Sequence, residues 1–222
     1  MIPSPLYRFG AVAALTLGTL SLVITNILQW TLQPSGGDVG PTSVAAQFPG
    51  QWLLVGMLSV FGSLVWLAGL PPTVALASGR GSVVAGLGGA LTGVGLAAGI
   101  GHLALFFGLG STLVASGLAA GDLQAVSRAA DADVLSTCLL VVFLVGFALG
   151  PIVLTVGLRM AHLVGVWVPI AAVVAAVANF VPSPIAGVAQ LVAIVAVWGA
   201  VSVALVRSRV TLPEGSRMPI PA

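Results

Sequence analysis

The sequence predicts an all-α fold, a six-transmembrane-helix bundle with both termini cytoplasmic, and three observations carry that prediction. Apolar residues make up 59% of the 222-residue chain and charged residues only 5%, with a mean hydropathy of +1.18, whereas soluble proteins carry charge on about a quarter of their residues. The apolar residues gather in runs close to the ~20 helical residues that cross ~30 Å of hydrocarbon. The basic residues are all arginine and fall in the gaps between those runs. No run alternates polar and apolar residues, which excludes a barrel, and backbone groups shielded from water must bond within their own segment, which selects helices. Residues 1–222 therefore form a single integral membrane domain.

The first run, 10–30, follows Arg8 and has no small-residue cleavage site before Trp30, so it is expected to be a retained span and not a signal peptide. Residues 31–50 are rich in Gly and Pro and form an outer loop. The second span, 51–70, is expected to end at Pro71-Pro72, where backbone N–H groups are lost. The third, 83–109, lies in GSVVAGLGGALTGVGLAAGIGH. Its pairs Gly89/Gly93 and Gly95/Gly99 are four apart and offer a flat strip to a neighbouring helix, which makes it the expected central helix. Residues 110–133 form a second outer segment with a short surface helix. The fourth span, 134–157, contains Gly150-Pro151, a step that kinks helices. Spans at 163–181 and 185–206 complete the count.

Orientation follows from charge. Arg8, Arg80, Arg159, Arg207, Arg209 and Arg217 fall on one side of this frame, while Asp38, Asp122, Asp131 and Asp133 share the other with Arg128 alone. The positive-inside rule places the arginine-rich side in the cytoplasm. Trp30 and Trp52 at the outer ends, and Tyr7 and Trp167 at the inner ends, suit the two interfaces. The expected location is the inner (plasma) membrane as a multi-pass protein. The lack of lysine beside abundant Ala, Gly, Val and Arg suggests GC-rich coding and a bacterial source.

The same residues exclude several classes. The pI of 9.5 rests on a net charge of +2 without a basic cluster, which argues against nucleic-acid binding. The single Cys138 permits no intrachain disulfide and no cysteine metal cluster. His102 and His162 lie on opposite sides of the membrane, so no haem or metal site is expected and no cofactor is implied. Without lysine there is no retinal Schiff base. The glycines match no dinucleotide fingerprint, and neither midplane acids nor paired broken helices mark an ion-coupled transporter. Ser111 and Ser116 lie near His102 in sequence, without a nucleophile-elbow motif around them.

Once the spans are oriented, the strongly polar side chains converge on the outer half. Asn26 and Gln29 close the first span, His102 lies in the outer third of the third, and Asp133 opens the fourth. Asn179 closes the fifth span and Gln190 lies in the second turn of the sixth. Polar groups inside a membrane commonly mark a pocket or pathway, so an outer-half cavity is the leading site. Each residue also has a structural reading. Asp133 suits a helix N-cap, the amides suit the satisfaction of helix ends, and His102 suits a bond between helices.

Residues 150–170, GPIVLTVGLRMAHLVGVWVPI, carry Gly157-Leu158-Arg159 followed by Trp167-Val168-Pro169. In this the chain resembles small actinobacterial polytopic membrane proteins, a likeness that implies a fold and no activity. In size, span count and absence of a soluble domain it also resembles the small bacterial membrane-bound terpene cyclases. That resemblance implies a buried acid that protonates an alkene or epoxide and aromatic walls that guide the cation. The candidates would be Asp133 or Asp38 as acid, His102 orienting it, and Trp30, Phe106, Phe107, Phe143 and Phe147 as walls. The departure is that no acid lies deep in any span.

The expected function is a small membrane enzyme acting on a lipophilic substrate, isoprenoids included. Asp133, His102 and Asp38 would carry the chemistry, with Asn26, Trp30, Phe106, Phe107, Phe143, Phe147, Asn179 and Gln190 around the substrate. The alternative is a non-catalytic subunit or transporter component whose glycine faces dock a membrane partner or a second copy. The expected partners are the lipid bilayer and a lipophilic small molecule.

Overall fold

The computed structural model describes residues 5–32, 41–118 and 120–208, and among them it is helical throughout. Eight helices follow in order: α1 (Pro5–Leu32), α2 (Pro41–Gln47), α3 (Pro49–Val74), α4 (Arg80–Ala115), α5 (Ala120–Asp131), α6 (Val134–Met160), α7 (Trp167–Ala178) and α8 (Pro184–Arg207). Five of them, α1, α3, α4, α6 and α8, are long and apolar enough to cross a membrane. The sixth apolar helix, α7, has 12 residues and spans ~18 Å at ~1.5 Å per residue, short of the ~30 Å of hydrocarbon. The expected span at 163–181 is shorter because the segment after α6 first makes turns. Leu163 N–H bonds to Leu158 O and His162 N–H to Arg159 O, and the chain re-enters a helix only at Trp167.

Burial is inverted relative to a water-soluble bundle. Large apolar side chains such as Leu17, Leu53, Phe61, Leu87 and Val192 are exposed, while Thr19, Ser21, Thr25, Ser59, Thr73, Thr92 and Thr155 are buried. A surface of this kind suits a lipid solvent and a multi-pass membrane protein. The buried hydroxyls are largely spent on helical carbonyls. Ser59 donates to Val55 O, Thr73 to Gly69 O, Thr92 to Gly88 O and Thr155 to Pro151 O, all at 2.7–2.8 Å.

The long helices close into a ring. α1 packs on α3, α3 on α4, α4 on α6, α6 on α7 and α7 on α8, and α8 returns against α1. The core inside the ring centres on Trp66, Leu15, Leu96, Leu154, Leu158, Val168, Val197, Val201 and Leu205, with Trp66 only 1% exposed.

The most intimate contact is α4 on α6. Gly81, Ala85, Gly88, Thr92, Gly95 and Gly99 of α4 meet Phe143, Gly146, Gly150, Leu154 and Gly157 of α6, together with Ala161 just past its end. A Cβ on Gly95 would stand 2.7 Å from the Gly146 carbonyl carbon, and one on Gly146 would stand 2.6 Å from Gly95 Cα. The positions on α4 step by alternating fours and threes, the seven-residue repeat of left-handed packing. The expected strip was spaced strictly by four. Gly95 and Gly99 belong to the seam, but Gly89 faces Val74 of α3, and Gly93 meets Leu67 and Leu70 of α3 only at 3.6 and 3.9 Å. α4 thus sits between α3 and α6.

Three boundaries differ from expectation for identifiable reasons. α3 runs through Pro71 and Pro72 to Val74, because the prolines forfeit only the bonds to carbonyls four residues back while Pro72 and Thr73 bury themselves in the bundle. α4 continues to Ala115, where Ser111 and Thr112 donate back to Phe107 O and Gly108 O and Gly110 and Leu113 are covered. α2 forms where only loop was expected, opening on Pro41 and burying Val44 and Ala45 in a small core with Leu32, Trp52, Val55 and Phe107. The short helix expected within 110–133 is α5, with Asp122 in its first turn and Arg128 in its last, each favourable to the helix dipole.

Candidate functional site

Inside the ring, toward the end that carries α2 and α5, lies a cavity of about 210 Å³ bounded by residues of α1, α3, α4, α6, the end of α7 and α8. Two close approaches build its floor. A Cβ on Gly18 would stand 2.5 Å from Trp66 Cβ, so α1 seats directly on the Trp66 side chain. Ser21 of α1 reaches Gly62 of α3 and donates to Leu58 O at 2.7 Å. The indole of Trp66 is then boxed by aromatic rings, edge-on to Trp198 with centroids 5.1 Å apart and to Phe147 at 5.6 Å, while Phe143 lies 5.7 Å from Phe147.

The polar side of the cavity is neutral. Asn26 and Gln29 come from α1, Ser59 and Ser63 from α3, Asn179 from the end of α7 and Gln190 from the second turn of α8. Gln190 Nε2 donates to Asn179 Oδ1 at 2.6 Å and ties the end of α7 to the start of α8. Asn26 Nδ2 donates to Leu22 O at 2.9 Å, so among the described residues its Oδ1 remains an available acceptor. Two groups of cavity-lining residues, the indole Nε1–H of Trp66 and the hydroxyl of Thr25, are buried without a hydrogen-bond partner among the described residues. Leaving such a group unsatisfied costs about 1–3 kcal/mol, and native structures seldom do so without a ligand, a water or a function to account for it.

The sequence-derived residues divide between this cavity and other places. Asn26, Phe143, Phe147, Asn179 and Gln190 line it together. Phe106 and Asp133 line a second recess of about 380 Å³ between α4, α5 and the start of α6. Phe106 and Phe107 line a third of about 230 Å³ beside Trp52 and α2, where Trp52 Nε1 donates to Phe107 O at 3.0 Å. Trp30 packs on Gly187 of α8 and is 44% exposed. Asp38 lies outside the described residues.

Asp133 and His102 do not pair directly. Asp133 caps α6, its carboxylate accepting the Ser136 N–H at 2.7 Å. His102 Nδ1 stands 3.5 Å from Ser136 Oγ, and its ring lies over Phe106 with centroids 6.3 Å apart. Among the described residues no hydrogen bond or ion pair joins the two side chains. Ser136 intervenes because the cap geometry turns the carboxylate back to its own helix. Ser111 and Ser116, the serines close to His102 in sequence, donate instead to Phe107 O and Leu113 O.

Sequence reasoning missed Trp66, Thr25, Ser59 and Ser63 as parts of the site. Trp66 carried a signal, since an indole deep in a span needs a partner inside the bundle. Small hydroxyl residues are too common in membrane helices to stand out singly. Comparison with protein-family models, with curated proteins and with solved structures finds no match to this chain.

Proposed function

We propose that this is a multi-pass membrane protein that binds a small, neutral, lipophilic molecule bearing at least one hydrogen-bond acceptor, held in the cavity inside the helix ring. The observation that carries the reading is a cavity of about 210 Å³ lined by the neutral polar side chains of Asn26, Gln29, Asn179 and Gln190 beside Phe143, Phe147 and Trp66, next to which the Trp66 Nε1–H is buried with no acceptor among the described residues. An indole N–H can only donate, so a ligand oxygen would satisfy it once a small shift of the side chains around Trp66 opens the donor to the cavity. The Thr25 hydroxyl, the Asn26 amide and the Asn179–Gln190 pair complete a neutral polar rim, while Phe143, Phe147 and Trp66 supply the apolar wall. No acid or histidine lines this cavity. The residues therefore favour recognition of an oxygenated lipophile, isoprenoid alcohols and ketones included, over protonation of an alkene. In this reading α7 with its flanking turns makes the sixth crossing, and the arginine-bearing ends of α1, α4, α6 and α8 face the cytoplasm of a bacterial cell.

The alternative of a glycine face that docks a partner loses its main surface, because the glycine seam of α4 is filled by α6. An enzymatic step would draw on the Asp133 recess at the outer end of α6, apart from the bound molecule.

The test is a binding measurement on purified protein with two ten-carbon probes, radiolabelled geraniol and radiolabelled decane. Geraniol is expected to bind saturably, and Trp66→Phe to weaken it about fivefold, the loss of one hydrogen bond of about 1 kcal/mol. Equal affinity for the alcohol and the alkane, unchanged by the substitution, would refute a role for the indole donor.

A further inference from the structure

The end of the molecule opposite the α2–α5 end carries arginines and, among the described residues, no acid. Arg8, Arg80, Arg159 and Arg207 lie at the ends of α1, α4, α6 and α8. The described acids, Asp122, Asp131 and Asp133, all belong to α5 or the cap of α6, a full 27-residue helix away. Arg8 is turned inward and donates to the backbone carbonyl of Ser208, just past the end of α8, while its Nε is buried without an acceptor. The side chains of Arg207 and His162 form no hydrogen bond or ion pair among the described residues.

Arg207 and His162 stand at a recess of about 590 Å³ between the start of α7 and the end of α8. His162, Trp167, Arg207 and Ser208 stand around it, and its apolar wall includes Val168 and Ala204, both buried. The backbone places His162 there at some cost. The turn after α6 closes with Leu163 N–H on Leu158 O and His162 N–H on Arg159 O, a helix ending that normally takes glycine at the left-handed position. Here that position is His162, with φ +59°, the only left-handed non-glycine residue among those described. A non-glycine residue in this conformation is uncommon, and such outliers concentrate at ligand clamps and functional sites. The imidazole offers an N–H donor in either tautomer, the guanidinium is always charged and suits phosphate oxygens, and Trp167 is the ring type that settles at headgroup depth.

We propose that this recess binds an anionic phospholipid, the phosphate held between His162 and Arg207 and the start of an acyl chain lying along Ala200 and Val203. The site stands on different residues from the cavity inside the ring and does not depend on what fills that cavity.

The experiment is native mass spectrometry of the protein released from nanodiscs of equimolar phosphatidylglycerol and phosphatidylcholine. The wild type is expected to retain one phosphatidylglycerol per chain in preference to phosphatidylcholine. Arg207→Gln should reduce that preference about tenfold, the scale of one charge-assisted hydrogen bond to phosphate, and Val203→Trp should reduce it without changing charge, by filling the recess. Arg80→Gln alters the same end outside the recess and should leave the preference intact. Thermal stabilisation by phosphatidylglycerol should not be reproduced by inorganic phosphate alone. An equal loss in Arg80→Gln and Arg207→Gln, full retention in Val203→Trp, or stabilisation by phosphate equal to that by the lipid would each overturn the proposal. The first would mean diffuse surface charge, the second a different seat, and the third a soluble anion.

Discussion

Trp66 meets Trp198 edge-on, the ring centroids 5.1 Å apart and the planes at 76°, in the middle of a ring of six helices. Together with Phe147 on α6, this contact fixes the indole on three helices at once. The ring is held firmly, its one polar atom is buried without a partner among the described residues, and little side-chain freedom remains to be lost.

Thr25 offers a stability test of the same idea. Its hydroxyl is buried and unpaired, so Thr25→Val keeps the shape and removes a desolvated polar group. The ligand-free protein should gain about 1 kcal/mol, read as a raised unfolding midpoint in detergent. A loss of stability would show that the hydroxyl has a partner in the apo protein.

The α4–α6 seam discriminates between neighbouring glycines. Gly95→Ala forces a methyl to within 2.7 Å of the α6 backbone and should destabilise the bundle by about 1–3 kcal/mol as overpacking. Gly93→Ala meets leucine side chains at 3.6 and 3.9 Å, and the removal of a helical glycine should leave stability unchanged or raise it by up to about 1 kcal/mol. Thermal unfolding of the two variants side by side checks the assignment.

Asp133 is expected to act as a cap. Asp133→Ala removes the acceptor for the Ser136 N–H and should cost about 1 kcal/mol, while Asp133→Asn, an equally good cap, should cost little. If both variants abolish a measured turnover and leave the unfolding midpoint unchanged, the carboxylate has a chemical role that its cap geometry does not reveal.

Orientation is tested by labelling. In a background with Cys138 replaced by alanine, a cysteine at 122 in α5 should react with an impermeant maleimide in whole cells, and one at 80, at the start of α4, should not. The reverse pattern would invert the frame drawn from the arginines.

How much of this could be read from residues alone depended on the kind of signal. Helix existence came from uninterrupted apolar runs, and five of the six expected spans are helices long enough to cross. The segment at 163–181 read like the others, but the turns between Met160 and Trp167 rest on backbone bonds that no hydropathy pattern encodes. The convergence of Asn26, Asn179 and Gln190 was readable because each lies at a helix end whose depth follows from counting residues. Depth does not give azimuth. Asp133 shares a level with that cluster yet lines a different recess, His102 is turned to Ser136 and Phe106, and only the rotation set by the glycine seam decides which way each side chain points. The seam itself was half visible, since a spacing of four was evident while the alternation of threes and fours required knowing that Ala85 and Thr92 share the face.

The most direct measurement is native mass spectrometry of the protein gently extracted from its own membrane, followed by identification of whatever small molecule it carries. One neutral, oxygen-bearing lipophile per chain is expected, lost when Ser63→Phe fills the cavity. An empty cavity in the wild type, or the same bound molecule in the filled variant, would contradict that expectation.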